Sequence, residues 1–90
     1  MLSYINTLLI QEDIEGLIAL GAPSDEYEAE ARMIADAIAA LSREQFNEEN
    51  IVAIIALAWA TFELSPDELG LRLPHIRNVA RHIVRTHENP

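Results

Sequence analysis

The chain has no cysteine and no lysine. Without cysteine there is no disulfide framework and no thiolate chemistry, so an oxidising compartment adds nothing to this fold and a cytoplasmic setting is expected. Without lysine, all six cationic side chains are arginine, set against 15 acids for a net charge of −9. That balance opposes non-specific binding to nucleic acid or to anionic membranes, so neither is expected as a partner, whereas a basic protein is. Long hydrophobic runs are also missing. The longest, Ile51 to Ala60, is half of the roughly 20 residues that a membrane-spanning helix needs. The opening Met1-Leu2-Ser3-Tyr4 has no basic stretch, so no signal peptide is expected either.

Chemistry is as sparse as composition suggests. There is no Ser-His-Asp ordering, no Gly-rich phosphate loop and no HExxH, so no catalytic residue is nominated and an enzyme is not expected. Asp25 and Glu26, or Glu48 and Glu49, are adjacent in sequence. On a helix such neighbours diverge by about 100° instead of converging on a substrate. His75 and His82 are seven apart, with Asn78 and Val79 at the intermediate positions where a carboxylate would be wanted, so no metal site is nominated and no cofactor.

What is present is a run of helix signals across one 90-residue domain, residues 1–90. Residues 3–11 read as a first helix, with Ser3 as its cap and Ile5, Leu8 and Leu9 on one face. Residues 12–22 read as a helical turn and a packed loop. The stretch Gly21-Ala22-Pro23-Ser24-Asp25-Glu26-Tyr27-Glu28 then ends one apolar run and starts a long helix. Gly21 is expected at positive φ, Pro23 forbids a helix from running through, and Asp25 with Glu28 has capping-box spacing. The second helix, 24–41, carries Tyr27, Ala31, Ile34, Ile38 and Leu41 on its core face, with Glu26, Glu30 and Asp36 opposite and an ion pair from Glu28 to Arg32.

Ser42 to Phe46 reads as a capped turn. The third helix, 48–64, is apolar nearly all round and so is expected to be buried between neighbours, with Trp59 in the core. Ser65-Pro66-Asp67-Glu68 starts a further turn that Gly70 is expected to end. The last helix, 74–87, has Ile76, Val79, Ala80, Ile83 and Val84 on one face and an arginine stripe, Arg77, Arg81 and Arg85, on another. The expected fold is therefore all-α, a compact bundle of about four main helices with short extra turns, and the helix containing Trp59 at its centre.

The segment Gly21-Ala22-Pro23-Ser24-Asp25-Glu26-Tyr27-Glu28-Ala29-Glu30, with Asp13, Gly16 and Leu17 before it, resembles the YugE-like proteins, a small bacterial family of unknown function. The resemblance covers Asp13 to Glu30, implies a small helical fold and brings no activity with it.

Charge is segregated along the chain. Residues 1–70 hold 14 acids and two arginines, a balance of −12, while residues 71–90 hold four arginines and Glu88, a balance of +3. The functional expectation is a non-enzymatic protein–protein interaction module, similar in size and charge to immunity or antitoxin proteins. Its acidic surface would meet a basic partner through Asp25, Glu26 and Glu30, with Tyr27 at the edge. The plainer reading of those acids is helix capping and solubility. The alternative function is a self-associating domain, a second copy being the partner, in which the arginine stripe pairs with acids of the second helix.

Overall fold

Apolar residues recurring every three or four positions build four helices in the computed structural model, which describes residues 2–13, 21, 27–62 and 66–88. They are α1 (Leu2–Glu12), α2 (Glu28–Ala39), α3 (Glu48–Phe62) and α4 (Pro66–Glu88). Each helix packs on its neighbours in sequence and α4 returns to α1, while the backbones of α1 and α3, and of α2 and α4, stay apart across the core. The fold is an all-α four-helix bundle closed as a ring. Its radius of gyration, 12.3 Å, is close to the ~12 Å typical of a folded chain this long.

The core is the sum of the helices' inner faces. Ile5, Leu8 and Leu9 of α1, Ala31, Ile34 and Ile38 of α2, Ile51, Ile55, Ala58 and Trp59 of α3, and Ile76, Val79, Ala80 and Ile83 of α4 are all buried. Tyr27, immediately before α2, closes the set. Its ring lies 5.8 Å from that of Trp59, centroid to centroid, at an interplanar angle of 57°. Such tilted pairs add about 0.5–1.5 kcal/mol beyond the area they bury.

Local signals explain most of the helix ends. At the end of α1, the Asp13 amide donates to the Leu9 carbonyl at 2.8 Å and Asp13 itself takes φ +49°, a left-handed conformation that Asp tolerates better than most residues. Gly21 has φ +99°, as its place after an apolar run predicts. Between α2 and α3, Ser42 and Gln45 form a reciprocal box: the Ser42 Oγ accepts from the Gln45 amide at 3.2 Å, and the Gln45 Oε1 accepts from the Ser42 amide at 3.0 Å. Asn47 then caps α3, its Oδ1 accepting from the Asn50 amide at 2.9 Å.

Four expectations need correction. Ser3 lies within α1, where its carbonyl accepts from the Thr7 hydroxyl, so it is not the cap. The N-cap position of α2 is Tyr27 and makes no side-chain capping bond, so Glu28 is the first helical residue and not the fourth of a capping box. Asp25, expected to open the capping box, and Ser65, expected to start the next turn, lie outside the described residues, as does most of 12–22. Gly70 does not end a turn: α4 runs unbroken from Pro66 to Glu88 with Pro74 inside it. Proline supplies no amide for the carbonyl four residues earlier, which is that of Gly70. Gly70 is exposed, so water can take that carbonyl, and burial of Ile76, Val79, Ala80 and Ile83 holds the second half of the helix.

The fourth correction concerns α3. It is central, but it is not enclosed. Ala53, Leu57 and Ala60 face outward, and Leu57 is 65% exposed.

Candidate interaction surface

The sequence nominated Asp25, Glu26, Tyr27 and Glu30 as the edge that meets a partner. Asp25 and Glu26 lie outside the described residues. Tyr27 is 1% exposed, and its hydroxyl donates to the Asp13 Oδ1 at 2.6 Å. That places it in the core, with nothing to offer a partner; packing of its ring on Trp59 is the physical reason. Glu30 is half-buried, and its Oε2 is shielded from solvent, so it is not the open surface charge that its helical position suggested.

The exposed acids are elsewhere. Glu28 pairs with Arg32 at 3.1 Å, as the i, i+4 spacing predicts, with both side chains more than half exposed. Such a pair contributes a few tenths of a kcal/mol. Asp36 on α2, Glu44 in the α2–α3 turn, Glu49 in the first turn of α3 and Asp67 in the first turn of α4 are exposed and form no ion pair with a described residue. With Arg43 the exposed cation in the α2–α3 turn, they leave an excess of negative charge at that corner and at the start of α4.

The arginine stripe behaves differently. Arg77 Nη1 reaches the Glu48 Oε2 and Arg81 Nε the Glu48 Oε1, both at 3.2 Å, so two guanidinium groups hold one carboxylate. The acid they meet belongs to α3 of the same chain and not to the second helix, because the backbone of α4 runs along α3 and not along α2. Arg85, one turn further on, is exposed. The hydrogen bond from Arg81 is the main reason the Glu48 carboxyl titrates below its ordinary 4.5. Partial removal from water opposes the shift, and the Arg77 bond and both positive charges add to it.

This clamp predicts a pH dependence. A carboxylate whose folded pKa lies below its unfolded one adds stability that is fully present above the unfolded value and disappears as pH falls through the folded one. The stability difference between wild type and Glu48→Gln should therefore be constant from neutral pH down to about pH 5, then shrink towards zero as the pH drops below about 4. Denaturant midpoints across that range measure it; a difference unchanged at low pH would show that the clamp does not act through charge.

A second polar cluster fastens α1 to α4. The Glu12 Oε1 lies 2.7 Å from the His75 Nδ1 and accepts from the Asn78 side-chain amide at 3.3 Å. Nearer the other end, the Tyr4 hydroxyl lies 2.6 Å from the Thr86 Oγ1 and donates to the His82 carbonyl at 3.2 Å. His82 turns its Nδ1 back to the Asn78 carbonyl at 3.0 Å. A carbonyl only accepts, so that nitrogen carries the proton. The two histidines are thus committed to different partners. Among the described residues, no group of three or more His, Asp or Glu is placed to hold a metal ion, and no helix is long and apolar enough to cross a membrane.

No protein-family model matches the chain, and neither the curated proteins nor the solved structures yield a significant match.

Proposed function

We propose that this protein is a non-enzymatic interaction module whose acidic surface receives a basic protein partner. The observation that carries the reading is the imbalance of the exposed surface. Arg32, Arg77 and Arg81 are taken up in ion pairs within the chain, which leaves Arg43 and Arg85 as exposed arginines outside those pairs, against Asp36, Glu44, Glu49 and Asp67, four exposed acids that pair with no described residue. Asp25 and Glu26 belong to the same acidic half of the sequence and stay candidates on that ground alone; Tyr27, being buried, does not. An acidic face of this kind steers a basic partner over a Debye length of about 10 Å at 0.1 M salt and favours its association rate more than its final affinity.

Self-association through the arginine stripe is the weaker reading. Two of its three arginines already share Glu48, and a second copy would have to displace that carboxylate and its bonds to Arg77 and Arg81.

The test uses Glu44→Lys/Glu49→Lys, a pair chosen because both side chains are exposed and neither makes an ion pair with a described residue. Glu30 is unsuitable, since reversing a half-buried charge would perturb the fold. At low salt the wild type should capture basic proteins from extract of its native cell and the double variant should lose them. Unchanged capture by a folded variant would leave these acids to solubility and capping alone.

A further inference from the structure

Isolated leucines on a protein surface are ordinary, and Leu71 and Leu73 of α4 are of that kind. Leu57 is not, because of the helix that carries it. From Ile51 to Phe62 there is no charged residue. A helix apolar on every side belongs between neighbours, and a helix with one open face is expected to carry polar residues there. Among the described helices only α2 and α4 pack on α3, and Ala53, Leu57 and Ala60, at i, i+4 and i+7, form an exposed apolar row on its other side.

The ends of this row are acidic. Glu49 continues it by one turn, four residues before Ala53, and is exposed. Beyond the other end of α3, which stops at Phe62, α4 starts at Pro66, and its first turn carries the exposed Asp67. An apolar centre with a charged rim is the usual anatomy of a contact surface. Its rim also selects the occupant. A second copy packed α3 against α3 in the antiparallel sense would bring each Glu49 towards the other copy's Asp67, and in the parallel sense would bring Glu49 to Glu49. Like charges meet either way, which opposes association. A helix with an apolar row and Lys or Arg flanking it satisfies centre and rim together.

We infer that the outer face of α3, Ala53, Leu57 and Ala60 bracketed by Glu49 and Asp67, is the seat for an amphipathic basic helix of the partner, with Leu57 as its anchor. This rests on the acidic-surface reading above and adds an apolar seat to it.

Two Leu/Lys peptides of equal composition serve as probes, one with its leucines along a single helical face and an isomer with them scattered. Binding is followed by amide shift changes in a nitrogen-labelled protein. The amphipathic peptide should bind at least about tenfold tighter than its isomer, with the shifts centred on residues 53–60. Leu57→Ser should weaken it by about tenfold to a hundredfold, the range expected for one lost apolar anchor. Leu57 lies outside the core, and the emission of buried Trp59 checks that the variant is folded.

Equal binding of both peptides, unaffected by Leu57→Ser but weakened by Glu44→Lys/Glu49→Lys, would overturn the α3 seat and leave the acidic-surface reading standing. No binding of either peptide at low salt would overturn both. Concentration-dependent dimerisation abolished by Leu57→Ser would make a second copy the occupant and overturn the inference.

Discussion

Replacing Trp59 with alanine is expected to remove a large part of the stability of this fold. The side chain is fully buried, and it is the largest in the core. Its loss costs the transfer free energy of the ring and leaves a cavity, together about 3–5 kcal/mol. A domain of this size has a total stability of roughly 5–10 kcal/mol, so a third or more of it goes with one side chain. Trp59 sits on α3, which touches both α2 and α4, and its ring meets that of Tyr27. No small movement of one helix can refill the space. In the wild type the same residue is the only tryptophan, so its emission should be at short wavelength when native and shift red on unfolding. A native spectrum like that of tryptophan in water, or an alanine variant within about 1 kcal/mol of wild type, would show that α3 is not the centre of the core.

The second large effect is expected at Tyr27, where two substitutions separate two contributions. Tyr27→Ala removes a buried ring and should cost about 3–5 kcal/mol. Tyr27→Phe keeps the ring and removes only the hydroxyl that donates to Asp13 at 2.6 Å. Hydrogen bonds to a charged group contribute about 1.5–3 kcal/mol, and the lower end applies because Asp13 is partly exposed and water can replace the hydroxyl. Denaturant midpoints give both numbers. Equal losses for the two variants would mean that the Asp13 bond, and not ring packing, dominates. Because the ring is buried, Tyr27→Phe should leave partner capture at its wild-type level.

Helical periodicity carried most of this architecture in plain view. Ile5, Leu8 and Leu9, then Tyr27, Ala31, Ile34 and Ile38, then Ile76, Val79, Ala80 and Ile83, were each placed on an inner face by spacing alone, and each is buried. Periodicity is local, so it succeeds where burial follows from position on one helix. It fails for contacts set by how two helices sit against each other. The arginine stripe was visible at 77, 81 and 85, but its acceptor, Glu48, depends on the level at which α3 meets α4. The same holds for Glu12 with His75, and for Tyr4 with Thr86. Gly70 and Pro74 misled for a different reason: both break helices by intrinsic preference, and tertiary burial further along α4 outweighed them. The open row on α3 was legible as an apolar surface but not as an uncovered one, because a sequence does not say how many neighbours a helix will have.

The closure of α4 onto α1 also has a kinetic meaning. Tyr4 and Thr86 are 82 residues apart in the chain, whereas α1–α2, α2–α3 and α3–α4 join consecutive helices. Closing a loop of that length carries an entropy cost that the neighbouring pairs escape, and its reward, a polar clasp and the sides of two helices, arrives only once both are formed. Helix pairs adjacent in sequence can therefore assemble early, while the seam between the first and last helices is sealed late. Substitutions along that seam, at Tyr4, Glu12 or His75, would then quicken unfolding and leave the folding rate almost untouched.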